Sequence, residues 1–73
     1  PKIVFSAGNR IPLLVLNNAF KKLGIEAILD EDGLKLELKE EGIIKLLQME
    51  INEKIKKRII FELGKLNVIS EDS

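Results

Sequence analysis

The sequence contains no cysteine, histidine, tryptophan or tyrosine. Without cysteine the chain can form neither a disulfide nor a thiolate metal site, and without histidine it lacks the commonest zinc ligand and the commonest general base. The serines, Ser6, Ser70 and Ser73, therefore have no histidine to activate them as nucleophiles. We expect no catalytic residues, no metal and no cofactor, and we predict that the protein is not an enzyme.

Long apolar runs are also absent. No stretch approaches the roughly 18 apolar residues of a membrane span, and the start, Pro1-Lys2-Ile3, is not typical of a signal peptide. The sequence predicts an intracellular, cytoplasmic protein with no membrane partner. Isoleucine, leucine, lysine and glutamate dominate, as they do in thermophile proteomes.

The chain lacks a charge excess of either sign, since 12 basic and 12 acidic residues give a net charge of zero. Proteins that bind nucleic acid usually carry a basic excess, so this balance disfavours nucleic acid as a partner but leaves a local patch open. The only basic cluster comprises Lys54, Lys56, Lys57 and Arg58. Lys54, Lys57 and Arg58 lie within one helical turn of each other and are candidate contacts for an anion or a nucleic acid.

With 73 residues, of which 45% are hydrophobic, the chain has the size and composition of one globular domain, residues 1–73. A core this small stabilises weakly, and small domains often depend on disulfides, metals or oligomerisation. Oligomerisation is the device that this composition leaves open. We therefore expect a homodimer or a subunit of a protein complex.

The first half of the chain has clear strand and helix signals. Lys2–Ala7 alternates as a strand does. A helix follows, with Pro12 in its first turn and Gly24 at the left-handed position after its end. Between the strand and the helix, Gly8-Asn9-Arg10 is a turn at a helix N-terminus, where Arg10 could assist an anion.

Asp32-Gly33 is the strongest short-range hairpin signal in the sequence, and it separates two segments, residues 25–31 and 34–40. A turn there places Leu29 opposite Leu36 on the apolar face and Asp30 opposite Lys35 on the polar face. The nearby acidic residues favour a polar turn over a metal site.

A second helix is predicted to begin near Glu40-Glu41, with an apolar stripe of Ile44, Leu47, Ile51 and Ile55. Residues 58–70 allow two interpretations: an extension of this helix, or a hairpin around Gly64-Lys65. The predicted fold is α+β, a two-layer βαββα core with an antiparallel sheet and two helices. The hairpin would add a fourth strand, as in the ferredoxin-like arrangement.

Four large apolar residues lie off the predicted stripe or in the ambiguous tail, and few elements remain to cover them. An apolar seam on a small domain is normally buried against another chain, and the alternative is that the tail folds back and covers it. The function best supported by the sequence is thus a non-enzymatic assembly or dimerisation module, and a small nucleic-acid-binding domain is the alternative. The candidate interface residues are Leu46, Met49, Ile60 and Phe61.

The hairpin and second helix also resemble a known family. The strand Leu34–Leu38, followed by the acidic Glu40-Glu41 and then by Leu47, Ile51-Asn52 and Ile55, resembles the small KH-like dimerisation subunit of the KEOPS tRNA-modification complex. The resemblance covers about residues 2–56 and contains no diagnostic motif. It implies a subunit that dimerises and bridges catalytic subunits without catalysis of its own.

Overall fold

In the computed structural model, which describes residues 1–71, four strands and three helices form an α+β domain. Their order and bounds are β1 (Lys2–Ser6), α1 (Ile11–Lys22), β2 (Ile28–Leu29), β3 (Lys35–Lys39), α2 (Glu40–Gln48), α3 (Glu53–Leu63) and β4 (Asn67–Glu71). The strands form one antiparallel sheet in the order β2-β3-β1-β4. This is the strand order of the ferredoxin-like arrangement, and the predicted α+β class is confirmed.

The first strand and helix lie where the sequence predicts them. Pro12 is buried in the first turn of α1. At the other end, the Gly24 N–H donates to the Lys21 carbonyl at 3.0 Å and the Ile25 N–H to the Phe20 carbonyl at 2.9 Å. These two bonds form a Schellman motif, which requires the left-handed backbone that Gly24 adopts at φ +75°.

The hairpin has the predicted register, with Leu29 opposite Leu36, although its paired part of β2 is only Ile28–Leu29. The turn is also longer than the predicted two residues. The Gly33 N–H donates to the Asp30 carbonyl at 3.1 Å, and the Asp30 carboxylate accepts from the Leu34 and Lys35 N–H groups at 3.0 Å. Asp30 therefore closes a four-residue loop, which preserves the register because it lengthens both sides equally.

The predicted apolar stripe of the second helix is wrong for α2. Ile44 and Leu47 are exposed, whereas Ile43, Leu46 and Met49 pack against the core. The side of α2 that contains Gly42 and Leu46 packs against the sheet, because the glycine allows a close approach there. A Cβ at this glycine would lie 2.5 Å from Leu38 Cδ1, so only a glycine allows α2 to come this close to β3.

The tail combines parts of both interpretations. Residues 53–63 are helical, which excludes the hairpin around Gly64-Lys65, but α3 is a separate helix rather than an extension of α2. The chain leaves α3 at Gly64 and returns as β4, the fourth strand, beside β1. We also expect the end of the chain, residues 71–73, to be frayed, but residues 72 and 73 lie outside the described residues.

The core lies between the sheet and the helices. Phe5 and Phe20 pack with their ring centroids 6.1 Å apart. The helix α2 covers β3 and β1, while α3 packs on α1. Among residues 1–71, nine buried side chains form one hydrophobic cluster: Phe5, Leu13, Leu16, Ala19, Phe20, Ile25, Leu36, Leu38 and Ile59.

The packing at Gly42 gives a stability prediction. Alanine normally stabilises a helix interior by about 1 kcal/mol relative to glycine, but Gly42→Ala forces its new methyl group into Leu38 and Ile25. We expect the overpacking to prevail and to lower the free energy of unfolding by about 1–3 kcal/mol, as measured by urea denaturation. Gly8→Ala is the control, since a Cβ there meets nothing within 4 Å. A neutral Gly42→Ala would contradict the close approach.

Candidate functional site

The four candidate interface residues do not form one surface. Leu46 and Met49 are half-buried and pack against the core, so they act mainly as core residues. Ile60 and Phe61 are 59% and 64% exposed on α3. Of the four predicted interface residues, only Ile60 and Phe61 on α3 are therefore exposed, because Leu46 and Met49 face the core.

The last strand is more exposed than any other strand of the sheet, and none of its residues was among the predicted interface residues. All five residues of β4 are exposed. Val68 lies beside the buried Phe5 on the helix-facing side of the sheet and is still 53% exposed. The helices therefore leave this edge of the sheet uncovered. The sequence signal that could have revealed it is the adjacent apolar pair Val68-Ile69 in a segment without lysine or proline.

On the opposite face of the sheet, one row of side chains runs across all four strands. The registers place Ile28, Glu37, Val4 and Ile69 side by side, in the order β2-β3-β1-β4. Ile28 and Ile69, at the two ends of the row, are 52% and 54% exposed. The two edge strands therefore carry matched isoleucines on one face.

The basic cluster lies in the first two turns of α3, not at the end of a long second helix as predicted. Lys54, Lys57 and Arg58 are all exposed, and Lys54 and Lys57 lie on the side of α3 opposite the buried Ile59. Phe61 follows Lys57 by four residues and Arg58 by three, so it lies on the same face. We call these four residues, together with Lys65, the α3 basic face.

Lys65 makes two contacts, one with Phe61 of this face and one with the buried Glu62. Its ammonium lies 4.2 Å from the centroid of the Phe61 ring and 3.3 Å from Glu62 Oε1. Glu62 is buried, and its Oε2 and the Oδ1 of Asn17 on α1 have no hydrogen-bond partner among the described residues. The structure thus shows that the exposed Phe61 ring, with the Lys65 ammonium over it, lies beside the predicted basic cluster.

The predicted anion contact Arg10 has acidic surroundings. Gly8, Asn9 and Arg10 line a hollow of about 530 Å³ together with Glu31 and Asp32 from the hairpin loop. The Arg10 side chain also approaches the turn, with its Cβ 3.2 Å from the position of a Cβ on Gly33. The carboxylates of Glu31 and Asp32 disfavour the binding of an anion in this hollow. No residue of the α3 basic face lines it.

A larger open cleft of about 970 Å³ lies where β1, β3 and the start of α2 meet. Its wall contains Lys2 and Glu37, paired at 3.0 Å, and Lys45, which donates to the Gly24 carbonyl at 2.7 Å. Both lysines therefore already have partners in the fold. The second bond also fastens α2 to the end of α1.

Within residues 1–71, no three or more acidic side chains are grouped so that they could hold a metal ion. None of the helices described for this range has the length and apolar character needed to cross a membrane. Comparison of the chain with models of known families, with curated proteins and with solved structures finds no match.

The N-terminus of α3 gives a second prediction. The Asn52 side chain accepts a hydrogen bond from the Lys54 N–H at 2.8 Å, and it caps the turn that carries the basic residues. Asn52→Ala should lower the free energy of unfolding by about 1 kcal/mol and speed amide hydrogen exchange in residues 53–56. Asn18→Ala, at an exposed position inside α1, is the control and should not lower the free energy of unfolding. Equal effects of the two changes would contradict the cap.

The cleft gives a prediction about pH. The hydrogen bond and charge of Glu37, aided by Glu71, raise the pKa of Lys2 above 10.5, against a small opposing effect of desolvation. While Glu37 is ionised, the ion pair stabilises the fold fully below pH 10.5 and stops doing so as the pH rises through the raised pKa of Lys2. An NMR titration of the Lys2 side chain should show the raised pKa. Glu37→Gln should bring the pKa back toward 10.5, and an unchanged pKa in that variant would refute the pairing.

Proposed function

We propose that this domain is a non-enzymatic assembly module and that two copies join through the free edge of β4. The observation that carries this proposal is the exposure of the whole of β4 at the edge of the sheet. A free strand edge presents a row of N–H and C=O groups that can pair with a strand from another chain.

The two edges of the sheet differ in how they are protected. The paired part of β2 is two residues long, and a very short strand offers a second chain little to pair with. The strand β4 pairs with β1 over five residues without a bulge and contains neither lysine nor proline. Of the devices that natural proteins use to block edge pairing, β4 has only one charged side chain, Glu71, at its end, and it has no lysine, proline or bulge within Asn67–Glu71.

The residues of β4 suit a second copy of the same strand. An antiparallel pair centred on Ile69 sets Ile69 against its own copy, Val68 against Ser70 and Asn67 against Glu71. No two like charges then lie directly opposite each other. The register also places Lys2 beside Glu71 within one chain, so the carboxylate brings a compensating cation to the interface.

Such a pair joins two four-stranded sheets into one continuous sheet. Side chains that face each other across an antiparallel pair lie on the same side of the sheet. The helices of both copies would thus share one face. The exposed Val68 residues would gain neighbours on that face, and the two Ile69 residues would meet on the other.

The resemblance to the KEOPS subunit agrees with self-association but does not account for β4. A strand at residues 67–71 is a feature that the resemblance does not imply, and it weighs against membership of that family. The proposed interface therefore rests on the strand edge rather than on the resemblance. A role within a tRNA-modification complex is not needed for it.

The test is the solution mass by light scattering after size exclusion, measured at several concentrations. We expect a mass twice the 8.2 kDa of one chain. Ile69→Lys should yield a folded monomer, because a lysine at the centre of the edge opposes its own copy. Ile28→Lys is the matched control at the other edge, with the same side-chain change at nearly equal exposure, and should leave the mass unchanged.

Two outcomes would refute the interface at β4. One is a wild-type chain that stays monomeric at every concentration. The other is a dimer that survives Ile69→Lys but dissociates when Phe61→Glu places a charge on the exposed part of α3. Circular dichroism of each variant shows that a change in mass does not come from unfolding.

A further inference from the structure

The cations of α3 lie at the wrong end of the helix to stabilise it. Lys54 and Lys56 lie in the first turn of Glu53–Leu63, and no basic residue lies in the last turn. The N-terminus of a helix carries a partial positive charge, which repels cations. Lysines placed there cost stability, so helix stability does not explain this arrangement.

Ion pairing does not explain it either. Among residues 1–71, side-chain ion pairs within 4.0 Å join only Lys2 to Glu37 and Lys65 to Glu62. Lys54, Lys57 and Arg58 have no such partner in this part of the chain. Glu53 lies four residues before Lys57 and offsets part of this charge, but the three cations outnumber it, so the outer side of α3 keeps a local positive charge.

Phe61 gives this face a second chemical property. Phenylalanine is normally buried, yet this ring is 64% exposed although the Lys65 ammonium lies 4.2 Å from its centroid. The ring cannot serve the core, because it lies on the opposite side of α3 from the buried Ile59. An exposed aromatic ring among cations offers a stacking surface within reach of groups that bind phosphate.

We infer that the α3 basic face binds single-stranded nucleic acid, with a base stacked on Phe61 and neighbouring phosphates held by Lys57, Arg58 and Lys54. This function is separate from assembly through β4 and does not depend on it. The eleven residues of α3 extend for about 16 Å, which suits a few nucleotides of an extended strand.

The chemistry of the face favours a single strand over the other polyanions. A duplex keeps its bases stacked inside, so Phe61 would have nothing to stack on. An anionic membrane requires a broad apolar face next to the cations, whereas the large exposed apolar side chains described for α3 are Ile60 and Phe61 alone. Extended single strands supply both an unstacked base and a flexible row of phosphates.

The test is fluorescence anisotropy with a labelled twelve-nucleotide oligouridine, titrated with the full chain at several salt concentrations. The double variant Lys57→Gln, Arg58→Gln should bind more weakly, and the slope of log K against log salt should fall by about 0.7 for each phosphate that the variant no longer neutralises. The double variant Lys21→Gln, Lys22→Gln is the matched control. It also neutralises two exposed helical cations and gives the same net charge, and it should bind as the wild type does.

Phe61→Leu tests the stacking directly, because leucine keeps an apolar side chain but has no ring face. We expect binding about tenfold weaker with an unchanged salt slope. In the wild type, the Phe61 ring protons should shift upfield on addition of the oligonucleotide, as protons next to a stacked base do. The solution mass of these variants should stay that of the wild type, which separates this proposal from the interface at β4.

Several results would overturn the inference. These are absence of binding at low salt, equal weakening in the two double variants, full binding by Phe61→Leu, and equal or tighter binding of a duplex of the same length. Binding to vesicles containing phosphatidylserine without binding to the oligonucleotide would assign the face to a membrane instead.

Discussion

A non-helical turn, residues 49–52, separates α2 from α3, and the core, the α3 basic face and the last strand all depend on this turn. The core-facing residues on the two sides of the turn include Ile43 and Ile59, sixteen positions apart. At 3.6 residues per turn, one continuous helix would point them about 160° apart. A single helix could therefore bury one apolar side or the other, and the turn lets α2 cover the sheet while α3 packs on α1.

The turn is possible because each helix is fixed independently. Gly42 lets α2 lie close to Leu38, and the Lys45 ammonium binds the Gly24 carbonyl at 2.7 Å. Asn52 caps the start of α3 through the Lys54 N–H. With α2 held at the sheet and α3 placed on α1, the chain leaves α3 at the point from which β4 can pair with β1.

The sequence was informative where two independent patterns had to agree. The hairpin register was predictable because Leu29 and Leu36 must share the apolar face while Asp30 and Lys35 share the polar one, and a slip would spoil both faces. Gly24 was equally informative, since the end of α1 needs a left-handed residue. The order strand, helix, hairpin, helix therefore follows from the sequence alone.

The second half of the sequence was ambiguous, because the spacing of its apolar residues fits more than one arrangement of helices and strands. Ile44, Leu47, Ile51 and Ile55 fit one long helix, and nothing local reveals that the side bearing Gly42, Leu46 and Met49 packs inward instead. That choice depends on the shape of Leu38 and Ile25 against a glycine, which is a tertiary property. The exposure of β4 follows from the same choice, whereas Phe61 was already a predicted interface residue and is 64% exposed.

A net charge of zero is a property of the whole chain and does not decide what one surface can bind. Glu53 lies on α3 itself, whereas Glu26, Glu40 and Glu41 line the cleft beside the start of α2 together with three lysines. Phosphate attraction falls off within about 8–10 Å at physiological salt, so a strand on α3 responds to the nearest charges. On α3 the exposed Lys54, Lys56, Lys57 and Arg58 outnumber Glu53, so this helix has a local positive charge that the total does not show. The edge of β4 depends on backbone pairing instead, so one small domain can carry both surfaces without either requiring the other.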